Sequence, residues 1–189
     1  IVNFVNHLKE KLGRGQSFFT KSAFVQARNK VSPDVFLYLI KRLTDEFYTD
    51  NSNVKLILNG FRVLAVDGTC ITLPTTKELE DLYGKSTNQT QAYTVQARAS
   101  VLYDLSNRLA LNSILTPMDI GERELALQQL QHCQKGDLVI YDRGYPSYDL
   151  FHEHYEKNVA FVIRAKSNFN SVASEFLKSG KTSQVVEFF

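Results

Sequence analysis

Several features that would assign a class at once are scarce or missing in this chain. It has no tryptophan, one methionine, two cysteines and a net charge of only +2 over 189 residues. No apolar run approaches the roughly 18 residues that a membrane-spanning helix needs, and charged residues at positions 9–11 interrupt any secretion signal at the amino end. The sequence therefore argues against a membrane partner. It is long enough to bury one sizeable core.

The two cysteines, Cys70 and Cys133, form neither a Cys-x-x-Cys pair nor a Cys/His ligand spacing. The sequence therefore does not favour a zinc site. Two reduced thiols are usual in a cytosolic protein, and a cytoplasmic location is predicted.

The charge is unevenly distributed along the chain. Residues 1–33 hold six basic groups and one acid, a net charge of +5, which leaves −3 for the rest of a chain whose total is +2. A basic helical segment ahead of a mildly acidic body is typical of a DNA-contacting segment attached to a metal-using domain. A solvated helical face explains the same charges without any function, and both interpretations stay open.

Apolar residues at helical spacing predict that the first fifty residues are helical. Phe4, Leu8 and Leu12 repeat every four positions, and Thr20 is placed to cap a second helix. A polar, turn-rich stretch at 49–53 then marks a boundary. We predict a helical N-terminal subdomain over 1–53 and a second domain over 54–189.

From about residue 60 the pattern changes to strands. A strand is predicted over 62–67, with 69–73 as its candidate continuation. A half-buried strand is predicted over 95–101, where apolar odd-numbered residues alternate with mostly polar even-numbered ones, and another strand over 109–115. A helix is predicted at about 120–134, closed by Gly136. A strand at 138–141, a helix opened by Pro146 and ended by Asn158, and a strand at 160–163 follow, while 75–92 reads as a long loop. Three antiparallel strands followed by alternating helix and strand predict an α/β fold with a ribonuclease H-like mixed sheet.

Two aspartates follow short, continuously apolar segments. Asp67 follows Val63–Val66 and Asp142 follows Leu138–Tyr141, although the two acids are 75 residues apart in the chain. Continuous apolar runs are typical of buried strands, and the ribonuclease H-like order makes these two strands neighbours. Adjacent carboxylates repel unless a cation lies between them, so the pattern favours a divalent metal and phosphoryl-transfer chemistry.

Four segments together carry a resemblance to a known family. They are Leu64–Thr69 around the first acid, Tyr141–Ser147 around the second, Phe161–Lys166 on the next strand, and Ser22–Lys30 ahead of them. In order and spacing the chain resembles DDE transposases of bacterial insertion sequences, of the insertion-sequence-4, Tn5-like type. The likeness runs from about residue 17 to residue 166.

This resemblance implies cut-and-paste DNA transposition in the bacterial cytoplasm, close to the nucleoid. It makes Asp67 and Asp142 catalytic ligands of a two-metal Mg²⁺ or Mn²⁺ site, and Arg164 and Lys166 DNA contacts; Arg143 is a further candidate contact. The implied partners are double-stranded DNA and a second copy in a homodimer. The family's third ligand is a glutamate in a Tyr/Arg/Lys context that does not occur before Phe189, so we expect it beyond that residue and expect this chain to be a fragment.

Other interpretations remain at this point. The chain could be a transposase-derived DNA-binding or assembly module without catalysis, or a metal-dependent nuclease on the same fold. Haloacid dehalogenase-like phosphatases share an Asp-x-Asp-Gly-Thr run, but their nucleophile position is Ala65 here, so no covalent phosphoenzyme can form. Asp67 and Asp142 could also simply cap turns after strands.

Overall fold

The computed structural model describes residues 20–49, 54–87 and 93–186. The chain divides into two compact units, Ile1–Leu39 and Ile40–Phe189.

Two predictions fall on residues that are not described. The domain boundary expected at residue 53 lies within 50–53, and the helix expected from Phe4, Leu8 and Leu12 lies within 1–19. The assignment of a helical subdomain to 1–53 and a second domain to 54–189 therefore stays a prediction.

Helices and strands of the described residues follow the predicted order, with additions. The helices are α1 (Lys21–Arg28), α2 (Asp34–Thr49), α3 (Lys77–Tyr83), α4 (Glu122–Leu130), α5 (Tyr148–Lys157) and α6 (Ser171–Lys178). The strands are β1 (Arg62–Leu73), β2 (Ser86–Thr87), β3 (Tyr93–Asp104), β4 (Leu109–Pro117), β5 (Asp137–Tyr141) and β6 (Ala160–Ile163).

The sheet is mixed, with β1 between β3 and β5. Strand β1 pairs antiparallel with β3 and parallel with β5, and β6 pairs parallel with the far side of β5. Strand β4 pairs antiparallel with β3, and the short β2 pairs with the first two residues of β3. The order β4–β3–β1–β5–β6 is the ribonuclease H-like arrangement, so the predicted fold class is confirmed.

The main core lies between one face of this sheet and helices α4 and α5. Its buried members come from β1, β3, β5, α4, α5 and the segments beside them: Leu64, Val66, Leu102, Ala126, Leu130, Cys133, Val139, Tyr141, Tyr145, Leu150 and Val159. Gln129 of α4 ties the helix to the sheet, since its amide donates to the Ser100 carbonyl at 3.1 Å and its oxygen accepts from Asn112 at 2.9 Å. Removing the apolar side chains of this core from water provides most of the driving force for packing.

Strand β3 changes the face that it buries. Val95 and Ala97 are buried on one face, whereas Ser100 and Leu102 are buried on the other. The sequence predicted a single alternation with the odd-numbered residues inside, which is correct only for the first half. The second half buries its even-numbered residues because α4 covers that face.

The predicted loop at 75–92 is wrong in part, because it contains α3 and β2. The Thr76 hydroxyl caps α3 by accepting from the Leu79 N–H, and Lys77 forms an ion pair with Asp81 one turn later. No residue of α3 is buried. The helix therefore leaves no apolar period in the sequence, and local capping and charge pairing account for it.

Helix boundaries differ from prediction at two further places, the end of α4 and the start of α5. Helix α4 ends at Leu130 rather than about 134, and Gly136, at φ 95°, lies in the turn before β5 instead of closing the helix. Pro146 precedes the Ser147 cap of α5 and is not in the first turn. Asn158 does end α5 in the left-handed conformation, at φ 52°.

None of the helices in the described ranges is long and apolar enough to cross a membrane.

Candidate active site at the exits of two parallel strands

The pairing of β1 with β5 brings the two predicted acids to one edge of the sheet. Ala65 lies opposite Ile140 in the parallel register, and each strand reaches its aspartate two residues later. Parallel neighbours end at the same edge of a sheet, and ligand sites of open α/β sheets lie outside these carboxyl ends. The register therefore explains why acids 75 residues apart in sequence lie at neighbouring exits.

Both acids are exposed to solvent. Asp67 lies where β1 continues beside Val101 of β3, and one of its carboxylate oxygens accepts from the Gly68 N–H at 2.8 Å. Asp142 follows the last residue of β5 and begins the turn that leads to Tyr145, whose N–H donates to the Asp142 carbonyl at 3.2 Å. Exposed carboxylate oxygens of this kind suit a hard divalent cation.

The Tyr145 hydroxyl lies close enough to four charged side chains for each of them to change its pKa. Its side chain is buried, and burial raises the pKa of its hydroxyl to about 12, with further upward contributions from the negative charges of Glu122, Asp67 and Asp142. Arg98 acts in the opposite direction and lowers the same pKa. The phenol therefore keeps its proton at neutral pH and remains a hydrogen-bond donor beside the acids.

Two glycines leave room for Glu122 and Tyr145 next to the acids. A Cβ on Gly68 would lie 3.2 Å from the Ala99 carbonyl oxygen and 3.6 Å from the Tyr145 hydroxyl. A Cβ on Gly144 would lie 3.4 Å from a carboxylate oxygen of Glu122. The glycine after the first acid and the glycine of the second acid's turn thus allow α4 to approach the sheet closely.

The start of α4 is also bonded to the turn after Asp142. Arg123 donates through Nε to the Gly144 carbonyl at 3.2 Å. The neighbouring Glu122 lies in the first turn of α4, behind Gly121, which has no side chain to cap the helix. The turn that carries Asp142 is therefore held from the helix as well as from the strand.

The predicted basic residues follow the exits of β5 and β6. Arg143 is exposed directly after Asp142. The Arg164 N–H donates to the Tyr141 carbonyl at 3.3 Å, which fixes its backbone beside the end of β5. Arg164 and Lys166 both have exposed side chains. Their cations are therefore available to a ligand at this end of the sheet.

Asp67 and Asp142 offer the oxygen ligands that Mg²⁺ or Mn²⁺ takes. Within residues 20–49, 54–87 and 93–186, no group of three or more His, Cys, Asp or Glu side chains is arranged to hold a metal ion. The pair thus fits a metal in chemistry and falls short of a complete ligand set in the described ranges. The third acid, expected beyond Phe189, stays a prediction.

Sequence reasoning missed Glu122, Tyr145 and Arg98. Glu122 and Tyr145 occur at the ends of predicted elements, where a charged or aromatic residue is unremarkable. Arg98 occurs in the polar half of an alternating strand, which predicts only solvent exposure. Their proximity depends on the packing around Gly68 and Gly144 and on the β1–β3 register.

Comparison with known proteins gives a consistent result. A family model described as "Transposase DDE domain" matches residues 59–184, which include both acids and the basic residues after β6. The chain is 27% identical over 173 residues to "Putative transposase InsZ" of Escherichia coli (strain K12). The match covers 89% of this chain and 56% of that protein, so the chain spans little more than half the length of this curated relative.

Among solved structures, the chain is similar to the piggyBac transposase in a synaptic complex with hairpin DNA, determined by cryo-EM. The TM-score is 0.42 at 12% sequence identity, covering 65% of this chain and 27% of that one.

Proposed function

The chain belongs to the transposase DDE domain family, and from this premise we propose that it catalyses metal-dependent DNA cleavage and strand transfer at the ends of an insertion sequence, in cut-and-paste transposition. The parallel pairing of Ala65 with Ile140 carries the proposal, because it brings the exits of two acid-bearing strands to one edge. The family membership supplies the substrate class, which is DNA.

In this proposal Asp67 and Asp142 are the protein ligands of Mg²⁺ or Mn²⁺. Two divalent ions held together activate the attacking oxygen and stabilise the leaving oxygen of a phosphoryl transfer. The chain's own contribution is to orient the carboxylates through the β1–β5 register and through the turn that Arg123 holds at Gly144. The protonated Tyr145 hydroxyl adds a donor beside them.

The proposed partner is double-stranded DNA, with Arg143, Arg164 and Lys166 on its phosphates. Exposed cations at the exits of β5 and β6 suit phosphate oxygens, which fix a protein's register on DNA. A homodimer would bring two ends of the element together, and the proposed location is the bacterial cytoplasm at the nucleoid.

The test is an excision and integration assay with the full-length protein and a plasmid that carries the ends of its own insertion sequence. Replacing a residue that only orients a metal ligand typically lowers activity by up to about a hundredfold. Because Asp67 and Asp142 are proposed as ligands themselves, we expect Asp67→Asn and Asp142→Asn each to lower cleavage by more than that. DNA binding should persist, and chelation of divalent metal should abolish cleavage of the wild type. Asp81→Asn, in an exposed pair on α3, is the matched control and should cleave normally.

A second candidate is a transposase-derived DNA-binding module without catalysis. The observation that favours it is that, in the described ranges, no group of three or more His, Cys, Asp or Glu side chains is arranged to hold a metal ion. It predicts DNA binding without metal-dependent cleavage, whereas cleavage retained by either asparagine variant would reject the site assignment itself.

A further inference from the structure

Arg98 is a cation of β3 whose charge, like those of Asp67 and Asp142, acts on the Tyr145 hydroxyl. It lies on β3 between Cys70 of β1 and Thr116 of β4 in the antiparallel registers. Side chains alternate along a strand, so Arg98 shares a face with Ser100, which contacts α4 through Gln129. The positive charge of Arg98 lowers the pKa of the Tyr145 hydroxyl, so the two groups lie within electrostatic reach of each other. Its guanidinium is therefore directed to the face where Tyr145 and Glu122 lie.

The Arg98 guanidinium has no hydrogen-bond or ion-pair partner among the described residues. Its Nε–H is buried and donates to no acceptor there, and no carboxylate of the described residues forms an ion pair with it. The hydroxyl of Thr116, directly across the β3–β4 ladder, is likewise buried without a hydrogen-bond partner. A desolvated donor left without an acceptor is unfavourable, so two adjacent cases call for an explanation.

An anion is the ligand that would satisfy both groups. A guanidinium presents a planar fork of donors that matches phosphate oxygens in pairs, and a threonine hydroxyl can donate to a third. Glu122, Asp67 and Asp142 nearby would repel an incoming phosphate, so a cation is needed where the backbone of a nucleic acid passes them.

We propose that Arg98, together with the Thr116 hydroxyl, binds a phosphate of the DNA strand that enters the Asp67–Asp142 edge of the sheet. This assignment rests on the proposed function, since DNA supplies the phosphate. It adds a contact on the α4 side of the sheet, whereas Arg143, Arg164 and Lys166 follow the exits of β5 and β6.

The test measures binding of the full-length protein to a mixed-sequence DNA duplex by fluorescence anisotropy at several salt concentrations. We expect Arg98→Met to bind roughly tenfold more weakly than wild type. The slope of log affinity against log salt should also become shallower by about one, the signature of one lost phosphate contact. Arg98→Lys should restore the slope but only part of the affinity, because an ammonium lacks the fork.

Arg108→Met, in the exposed turn between β3 and β4, is the matched control and should bind as wild type does. A thermal melt separates binding from structure. Arg98→Met should keep the melting temperature, since the removed guanidinium has no hydrogen-bond or ion-pair partner within the described ranges; a clear fall would identify Arg98 as a structural cation and overturn the proposal. Wild-type affinity and slope in Arg98→Met would overturn it as well, with the transposase function untouched. If the wild type itself does not bind DNA, both proposals fail.

Discussion

His154 is fully buried beside the strand that leads to Asp142. Its Nδ1 lies 3.0 Å from the Val159 carbonyl oxygen and its Nε2 lies 2.9 Å from the Tyr141 hydroxyl. A carbonyl only accepts, so Nδ1 carries the proton and donates, while Nε2 accepts from the tyrosine. One neutral tautomer is thereby selected, and it links α5 to the residue that precedes the second acid.

This arrangement predicts a pH-dependent stability. Burial lowers the pKa of His154 below its ordinary value of 6.5, with the Val159 carbonyl opposing in part. The unfolded chain therefore binds a proton at this residue at a higher pH than the folded chain does. The free energy of unfolding should be greatest above about pH 6.5 and should fall as the pH drops below it, by at most about 1.4 kcal/mol per pH unit.

Urea unfolding at a series of pH values checks this expectation. His154→Gln should lose this part of the pH dependence, whereas His132→Gln, at an exposed position, should retain it. The same pH slope in wild type and His154→Gln would contradict the assignment.

At the scale of elements, one ion pair joins the starts of the two acid-bearing strands. Arg62 of β1 and Asp137 of β5 are register partners, and they form two N–O contacts of 2.7 Å each. Their side chains are 14% and 2% exposed. Asp137 also accepts from the Gln134 N–H at 2.8 Å, and the Arg62 guanidinium lies over the Tyr48 ring. The β1–β5 register is thus fixed at its beginning, three residues before the strands' last paired positions.

Breaking this pair should destabilise the protein strongly. Asp137→Ala leaves the Arg62 charge without its partner in a largely buried place, so we expect the free energy of unfolding to fall by about 3–5 kcal/mol. Asp45→Ala, in the exposed pair with Lys41, should cost less than about 1 kcal/mol. Chemical denaturation of both variants makes the comparison, and equal losses would show that Arg62–Asp137 acts as a surface pair.

The sequence predicted the central strands because burial on both faces leaves continuous apolar runs, as in Val63–Val66 and Leu138–Tyr141. It did not predict α6, whose apolar residues pack beside the aromatic residues of α5 and β6 after a polar stretch. At eight residues, α6 is shorter than the roughly 11–18 residues over which a helical period is recognised in a sequence. Nor did it predict α3, because a helix without buried residues leaves no apolar period in the sequence.

The residues of the candidate site likewise fall into those that the sequence predicts and those that only the fold brings together. Asp67 and Asp142 could be chosen because each ends an apolar strand, which is a local signal. Glu122 and Tyr145 come close to them through the packing around Gly68 and Gly144, and Arg98 through the β1–β3 register; no sequence spacing records these contacts.

At the scale of the whole molecule, a net charge of +2 is too small to draw the protein to DNA by itself. Attraction must then come from local cations, and the proposed set is Arg143, Arg164 and Lys166. Each replacement by alanine should weaken binding to a mixed-sequence duplex at low salt and lower the salt slope by about one. The triple variant should lower it by about three.

Lys41→Ala, on α2, removes the same charge elsewhere and provides the control for this series. Affinity that stays flat from low to moderate salt in the wild type would contradict a phosphate-binding role for all three residues.

The parallel pairing of β1 with β5 also sets an order of events during translation. Asp67 leaves the ribosome 75 residues before Asp142, and the hairpin of β3 and β4 and helix α4 must follow before β5 exists. Closing so long a loop is slower than local pairing. A nascent chain therefore lacks the neighbouring carboxylates until β5 has been made, and the proposed scission cannot begin before Asp142 has left the ribosome.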